Sequence, residues 1–408
     1  MKTKTTPFSM CSEQVRPSFI RDILKAANQP NMISLAGGLP DPSLFPTQHL
    51  AKSAYRVLMN SGQEALQYTT TEGYNPLRRF IAERYHRQQG LAISSEQVLI
   101  TSGSQQALDL IGKLFINPND AIILERPSYL GAIQCFSQYG PRMLEIDLNK
   151  NGPNQEQLTH LLNSEQVKLF YTIPNFQNPT GNEHSLESRK ATVNLLEKTS
   201  TFIIEDDPYG EIRFEGEALP TLHSMLPEQT ILLGSFSKTV APGLRIGWVI
   251  ASSDIIKRLA VLKQASDLHS SHLDQQVLYD YLTHYNLDEH IASIIDLYKR
   301  RRDCMITAIE KEFSTNVHYS TPNGGMFLWL KFPSTIKAME VLNRSIKEGI
   351  IFVPGETFYA EKAALNTARF NFSNTDETNI RYAIKKIGAI VRAMEMEERP
   401  KVKWWPLP

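Results

Sequence analysis

Cysteine is scarce in this chain: there are three, Cys11, Cys135 and Cys304, odd in number and far apart. Such a set makes no disulfide framework and offers no Cys-x-x-Cys metal or redox site, so a reducing, cytoplasmic setting is the simplest expectation. An excess of one charge is also missing. The 43 Lys and Arg residues balance 43 Asp and Glu, which gives no electrostatic argument for nucleic acid or an anionic membrane. No apolar run approaches the length that spans a bilayer, and the stretch from Met1 to Val15 lacks the apolar core of a signal peptide. A G-x-G-x-x-G fingerprint is absent, which counts against a nicotinamide-dependent dehydrogenase. Internal repeats and long low-complexity linkers are lacking too, so any domain junction is expected to be a helix or a tight turn.

What is there is an ordinary globular composition, 41% hydrophobic and 21% charged, over 408 residues. That length exceeds the reach of a single growing core and predicts two or more packed units. From Glu64 to Ala251, short apolar or β-branched runs alternate with stretches of helical period, the pattern of an α/β domain. The predicted strands are Gln97–Thr101, Ala121–Glu125, Met143–Ile146, Lys168–Ile173, Phe202–Glu205, Ile231–Leu233 and Ile246–Ala251. Several are apolar throughout, as strands covered on both faces tend to be. Beyond Ser252 the texture becomes helical, with Asp254–Gln264, Gln275–Tyr285 and a charged helix near Leu297–Phe313 that bridges two units. Short strands around Met326–Phe332, Ile351–Val353 and Ala368–Phe372, with helices near Ile336–Glu348 and from Asp376 to Glu397, read as a smaller α+β unit. The tail Lys401–Pro408 reads as an extended segment.

Four local patterns stand in order, each at the end of a predicted strand, where ligands of open α/β sheets collect. The first is Thr101-Ser102-Gly103-Ser104-Gln105-Gln106, ahead of a helix expected from about Gln106. Free amides at a helix start with hydroxyl neighbours suit a phosphate, although Ser and Gly also make a plain cap. The second, Pro174-Asn175-Phe176-Gln177-Asn178-Pro179-Thr180-Gly181, is either a site or a proline-rich turn. The third, Asp206-Asp207-Pro208-Tyr209, ends an apolar strand, and carboxylates there are costly unless partnered. The fourth is Ser235-Phe236-Ser237-Lys238, followed by Gly243-Leu244-Arg245-Ile246-Gly247-Trp248. It places Lys238 and Arg245 in connections expected to be buried, where lysine is seldom retained without a task.

Together these patterns resemble the fold-type-I pyridoxal-phosphate enzymes, specifically class I/II aminotransferases of the aminoadipate/kynurenine group, and also the effector domain of MocR-type regulators. The likeness runs from Arg21 through Ile33-Ser34-Leu35-Ala36-Gly37-Gly38-Leu39-Pro40 to Ala368-Arg369-Phe370-Asn371-Phe372-Ser373. It implies a mostly parallel seven-stranded sheet in a large domain beside a smaller α+β domain, divided as residues 1–45, 46–290 and 291–408. It also implies pyridoxal 5′-phosphate as cofactor and a ping-pong exchange between an L-amino acid and a 2-oxo acid. By matching motif, Lys238 joins the cofactor as a Schiff base and moves the proton. Asp206 pairs with the ring nitrogen, and Asn178 and Tyr209 with the phenolic oxygen. Ser104, Gln105, Ser235, Ser237 and Arg245 hold the phosphate, and Tyr129 stacks on the ring, unless it is a core tyrosine after a turn.

Arg369 takes the substrate carboxylate as a bidentate guanidinium. Tyr68 corresponds to a tyrosine that reaches the neighbouring subunit's phosphate in a homodimer, or else is a packing tyrosine. Gly37 and Gly38 let backbone close over the substrate, unless they form a plain turn. Arg21 sits where some relatives recognise a distal acidic group, though a surface ion pair explains it equally well. Relatives with these motifs also eliminate, cyclise or decarboxylate, so a lyase remains an alternative. A non-catalytic sensor of the MocR type requires a winged-helix module, for which the roughly forty residues before the first domain helix leave no room.

Overall fold

The structure is a computed structural model and describes residues 9, 11, 23 and 31–397. Arg21 and the tail 401–408 lie outside the described residues. All seven predicted strands form: β1 (Val98–Thr101), β2 (Ala121–Arg126), β3 (Arg142–Asn149), β4 (Val167–Thr172), β5 (Phe202–Asp206), β6 (Thr230–Ser235) and β7 (Gly247–Ile250). They lie in the order β1-β7-β6-β5-β4-β2-β3, and the two-residue strand Gly152–Pro153 folds back on β3 as an eighth, edge member. Strands β1 to β6 share one direction. Of these seven only β7 is reversed, antiparallel to β1 through Thr101↔Gly247 and to β6 through Ser235↔Gly247.

Every residue of β1, β6 and β7 is buried, because helices cover both faces. Side chains alternate between two cores. Leu99, Leu233 and Val249 point to one, with Leu108 and Ile111 of the helix Ser104–Phe115 and Ile256 and Leu259 of the helix Ser253–Asp267. Val98, Ile100, Leu232 and Ile250 point to the other, with Leu77 and Ile81 of Asn75–Gln89 and Leu278 and Leu282 of His272–His284.

A second, antiparallel sheet contains β8 (His318–Tyr319), β9 (Phe327–Lys331), β10 (Val353–Pro354) and β11 (Thr367–Asn371), in the order β8-β9-β11-β10. The helix Leu287–Glu312 begins a full ten residues before the predicted Leu297 and packs along the closing helix Glu377–Glu397. An N-terminal strip completes this side. Ile33–Ser34 pairs in parallel with Ile350–Ile351, and Asn371 donates its amide to Leu35. Asp41 is fixed on the long helix by Arg301 at 2.6 Å and by the Tyr298 hydroxyl, which accepts its amide at 3.0 Å. This strip therefore runs past the mouth of the large sheet with its ends secured on other elements.

Candidate active site

The polarity of the sheet decides which residues meet. Turns leaving β1, β2, β4, β5 and β6 all emerge at one edge, and the reversed β7 enters from that same edge. A cavity of about 420 Å³ lies there, lined by Ser104, Gln105, Tyr129, Asn178, Asp206, Tyr209, Ser235, Ser237, Lys238, Arg245, Gly38 and Arg369. Among the described residues, one predicted residue, Tyr68, is not brought to it. Tyr68 is 78% exposed and meets the ring of His269 edge-on at 5.8 Å, and Arg21 is outside the described residues.

Asp206, the last residue of β5, is 3% exposed. Its Oδ2 accepts the Tyr171 hydroxyl at 2.8 Å, whereas its Oδ1 is buried without a partner. Burial pushes the carboxyl pKa up to about 7, against the Tyr171 bond and with help from Asp207. A buried acceptor aimed into a cavity calls for a donor there. Lys238 Nζ donates to the carbonyl of Gly38 at 2.7 Å. Burial, then Arg369 and Arg245, lower its pKa to about 8, so a neutral amine is accessible near physiological pH.

One end of the cavity suits a compact anion. Arg245 adopts φ +53°, and its Nη2 donates to the carbonyl of Ser102 at 3.1 Å. Contrary to expectation Arg245 is exposed rather than buried, because this left-handed turn swings the guanidinium to the cavity rim. Gly103 makes room for it: with φ +80°, a Cβ here would lie 2.5 Å from Nη2. The helix begins at Ser104 rather than Gln106, which brings its first amides to the same place. Ser235 and Ser237 share a hydroxyl bond of 2.8 Å beside it.

The other end carries Arg369, 3% exposed on β11. Its Nη1 donates to Asn178 Oδ1 at 2.8 Å and its Nη2 to the Ala36 carbonyl at 2.6 Å, while Nε has no partner. Phe327 and Phe358 sandwich the guanidinium at 4.3 and 4.9 Å from their ring centroids, contacts worth about 0.5–2 kcal/mol each. Burial lowers its pKa to about 10. Phe327 also holds the Tyr209 ring edge-on at 5.9 Å and leaves only backbone at Gly38, whose Cβ would fall 2.9 Å from its Cζ. Sequence reading missed Tyr171, Phe327 and Phe358. A signal existed for Tyr171 alone, a hydroxyl inside an otherwise apolar buried strand that must find a partner.

The sheet order and this cavity define an α/β enzyme-like cleft with a cationic turn at one end, a half-buried amine, and a buried guanidinium at the other end. The model of the family "Aminotransferase class I and II" matches residues 5–387. Aromatic-amino-acid aminotransferase 1 of Thermococcus litoralis is 40% identical over 94% of this chain and 94% of its own. The α-aminoadipate aminotransferase of Thermus thermophilus, solved with N-(5′-phosphopyridoxyl)-L-leucine, superposes with TM-score 0.90 at 36% identity over 96% of this chain and 98% of its own. The kynurenine aminotransferase of Pyrococcus horikoshii, solved with PMP, does so with TM-score 0.91 at 38% identity, over 95% and 97%. The chain belongs to the class I and II aminotransferase family, and its fold is fold type I.

Burial of Asp206 has a consequence for cofactor-free protein. Its folded-state pKa of about 7 lies above the ordinary 3.8, so the unfolded chain releases this proton first as pH rises. The group's contribution to stability is therefore intact below about pH 4 and falls progressively to about pH 7. Urea midpoints should decline over that window, and Asp206→Asn should flatten the decline, leaving the part due to Glu205, which burial also raises to about 7. An unchanged slope in Asp206→Asn refutes the assignment.

Proposed function

We propose that this chain moves an amino group between an L-amino acid and a 2-oxo acid by a ping-pong mechanism, with pyridoxal 5′-phosphate held covalently at Lys238. The observation that carries the reading is the unpartnered Oδ1 of Asp206 in one cavity with the Lys238 amine, between the cationic ends made by Arg245 and Arg369. The residues present fit the cofactor: a ring N–H supplies the donor that Asp206 lacks, and a phosphate suits the turn where Gly103 leaves room for Arg245. When bound, pyridoxal phosphate supplies an aldehyde that condenses with amines and a protonated ring that draws electrons from the substrate Cα.

The chain's own groups do the rest. Asp206 keeps the ring nitrogen protonated, with Tyr171 leaving Oδ1 free to do so. Ser104, Gln105, Ser235, Ser237 and Arg245 hold the phosphate, Tyr129 packs on the ring face, and Asn178 and Tyr209 donate to the phenolic oxygen. Arg369 fixes the substrate carboxylate, its plane set by the two phenylalanines, so that the Cα–H bond is oriented toward Lys238. Lys238 Nζ, free once the substrate amine has taken its place on the cofactor, would take up the Cα proton and hand it on. Gly38 belongs to the substrate side of the site, and Arg21, outside the described residues, is the candidate for recognising a distal acidic group of the substrate.

We further propose a homodimer in the cytoplasm, built on the 1–45, 46–290 and 291–408 division. Tyr55, Met59, Leu66 and Tyr68, exposed together on and after the helix Thr47–Ala65, support an interface through which Tyr68 reaches the partner's phosphate. Among the described residues no helix is long and apolar enough to cross a membrane.

Borohydride reduction of the purified protein should erase its visible band and leave a pyridoxyl label on Lys238. A colourless protein, or label elsewhere, ends the cofactor assignment. Replacing the guanidinium in Arg369→Gln should raise KM for the amino acid about 10- to 100-fold, the size of a lost charge-assisted hydrogen bond, and a KM within about twofold of the parent speaks against its carboxylate role. Mixing Tyr68→Phe with Lys238→Ala protein should restore part of the lost activity through hybrid dimers, and no recovery with verified subunit exchange argues that Tyr68 does not act across the interface.

A further inference from the structure

Among the described residues Lys263 is a lysine with no exposed surface, and the chemistry above does not use it. It lies on the helix Ser253–Asp267, behind the turn that leaves β1. Its ammonium spends its three donors on Asp267 (2.9 Å to each carboxylate oxygen), Gln106 Oε1 (2.9 Å) and Ser270 Oγ (3.0 Å). The last two partners both hold Ser102. Gln106 Oε1 also accepts the Ser102 amide at 2.8 Å, and Ser270 Oγ lies 3.0 Å from Ser102 Oγ. The Gln106 amide, in turn, donates to Asp267 at 2.6 Å. Arg245 holds the remaining polar group of Ser102, its carbonyl.

Ser102 is thus gripped through amide, hydroxyl and carbonyl, and two of the three grips pass through Lys263. Its neighbours Gly103 and Ser104 form the start of the helix that faces the anion-holding end of the cavity. The charge of Lys263 is matched locally by Asp267, so its influence on the cavity is one of geometry rather than of field.

We propose that Lys263 is a positioning residue for the phosphate of the cofactor: through Gln106 and Ser270 it fixes the Ser102–Ser104 turn at the spacing from Arg245 that a phosphate monoester needs. The inference rests on the cofactor reading given under Proposed function. It sets Lys263 apart from a lysine that only supports the core, because a core defect weakens every ligand of the site alike. A displaced anion turn weakens only ligands that carry the anion.

Apo-protein titrated with pyridoxal 5′-phosphate and with pyridoxal, which has the same ring and aldehyde without the phosphate, separates the two. In Lys263→Met the dissociation constant for pyridoxal phosphate should rise about tenfold or more, as for one charge-assisted hydrogen bond lost or misplaced, while that for pyridoxal stays within about twofold. Equal losses for both ligands, or no loss for either, overturn the proposal. Lys263→Met leaves Asp267 without its cation, so Ser270→Ala serves as a second variant that buries no charge. It removes one grip on Ser102 and should shift the same ratio about threefold, and an unchanged ratio overturns the proposal as well. If the parent protein binds pyridoxal phosphate no more tightly than pyridoxal, the phosphate assignment itself falls, and this inference with it.

Discussion

The site depends on strand direction. Six strands of the large sheet deliver their outgoing turns to one edge, and a single reversed strand between β1 and β6 begins at that edge. Were β7 parallel, Arg245 would emerge on the far side, away from Gly103 and Ser235. The reversal also explains the glycines at the contact, since Gly247 sits directly on the backbone of Gly103 and Ser104, where a Cβ would approach to 2.9 Å. That one antiparallel insertion adds Arg245 to the helix start at Ser104 and the hydroxyls of Ser235 and Ser237, which the parallel strands already deliver there.

Around this edge the protein concentrates groups that its interior would otherwise reject. Asp206, Lys238 and Arg369 each have a pKa moved toward the neutral form by burial. Two of them are held by partners that leave something unused: an oxygen on Asp206, a nitrogen on Arg369. Unsatisfied buried polar atoms are costly, and a folded chain retains them where a ligand supplies the missing contact.

Much of this was legible in the residues. Buried strands read as unbroken apolar runs, so all seven lie within a few residues of their observed limits, and motifs at their ends bring ten of the expected cofactor and substrate residues into one cavity. The long helix was read short because Leu287–Asp296 opens with the polar residues Asp288, Glu289 and His290, which dilute its periodicity. Arg245 was misjudged as buried because its flanks, Leu244 and Ile246, are apolar, and nothing in a sequence announces the left-handed backbone between them. The pairings that were invisible are those between distant segments: Tyr171 with Asp206, Phe327 and Phe358 around Arg369, and Lys263 with Gln106 across 157 positions. Residue type advertises a need for a partner, whereas the partner's identity is a property of the fold.

The strip from Ile33 to Asp41 touches two of the three basic groups of the cavity, giving the Ala36 carbonyl to Arg369 and the Gly38 carbonyl to Lys238. The chain thereby acts as its own low-affinity competitor. On the proposed reading, a carboxylate arriving at Arg369 would compete with an uncharged oxygen already in place, so the affinity observed would be the difference between two occupants. Neutral molecules that offer only a carbonyl gain little from that exchange, while an anion gains the full margin between a dipole and a charge. On that reading, discrimination against uncharged lookalikes would rest on Arg369 and the Ala36 carbonyl before any substrate side chain is read.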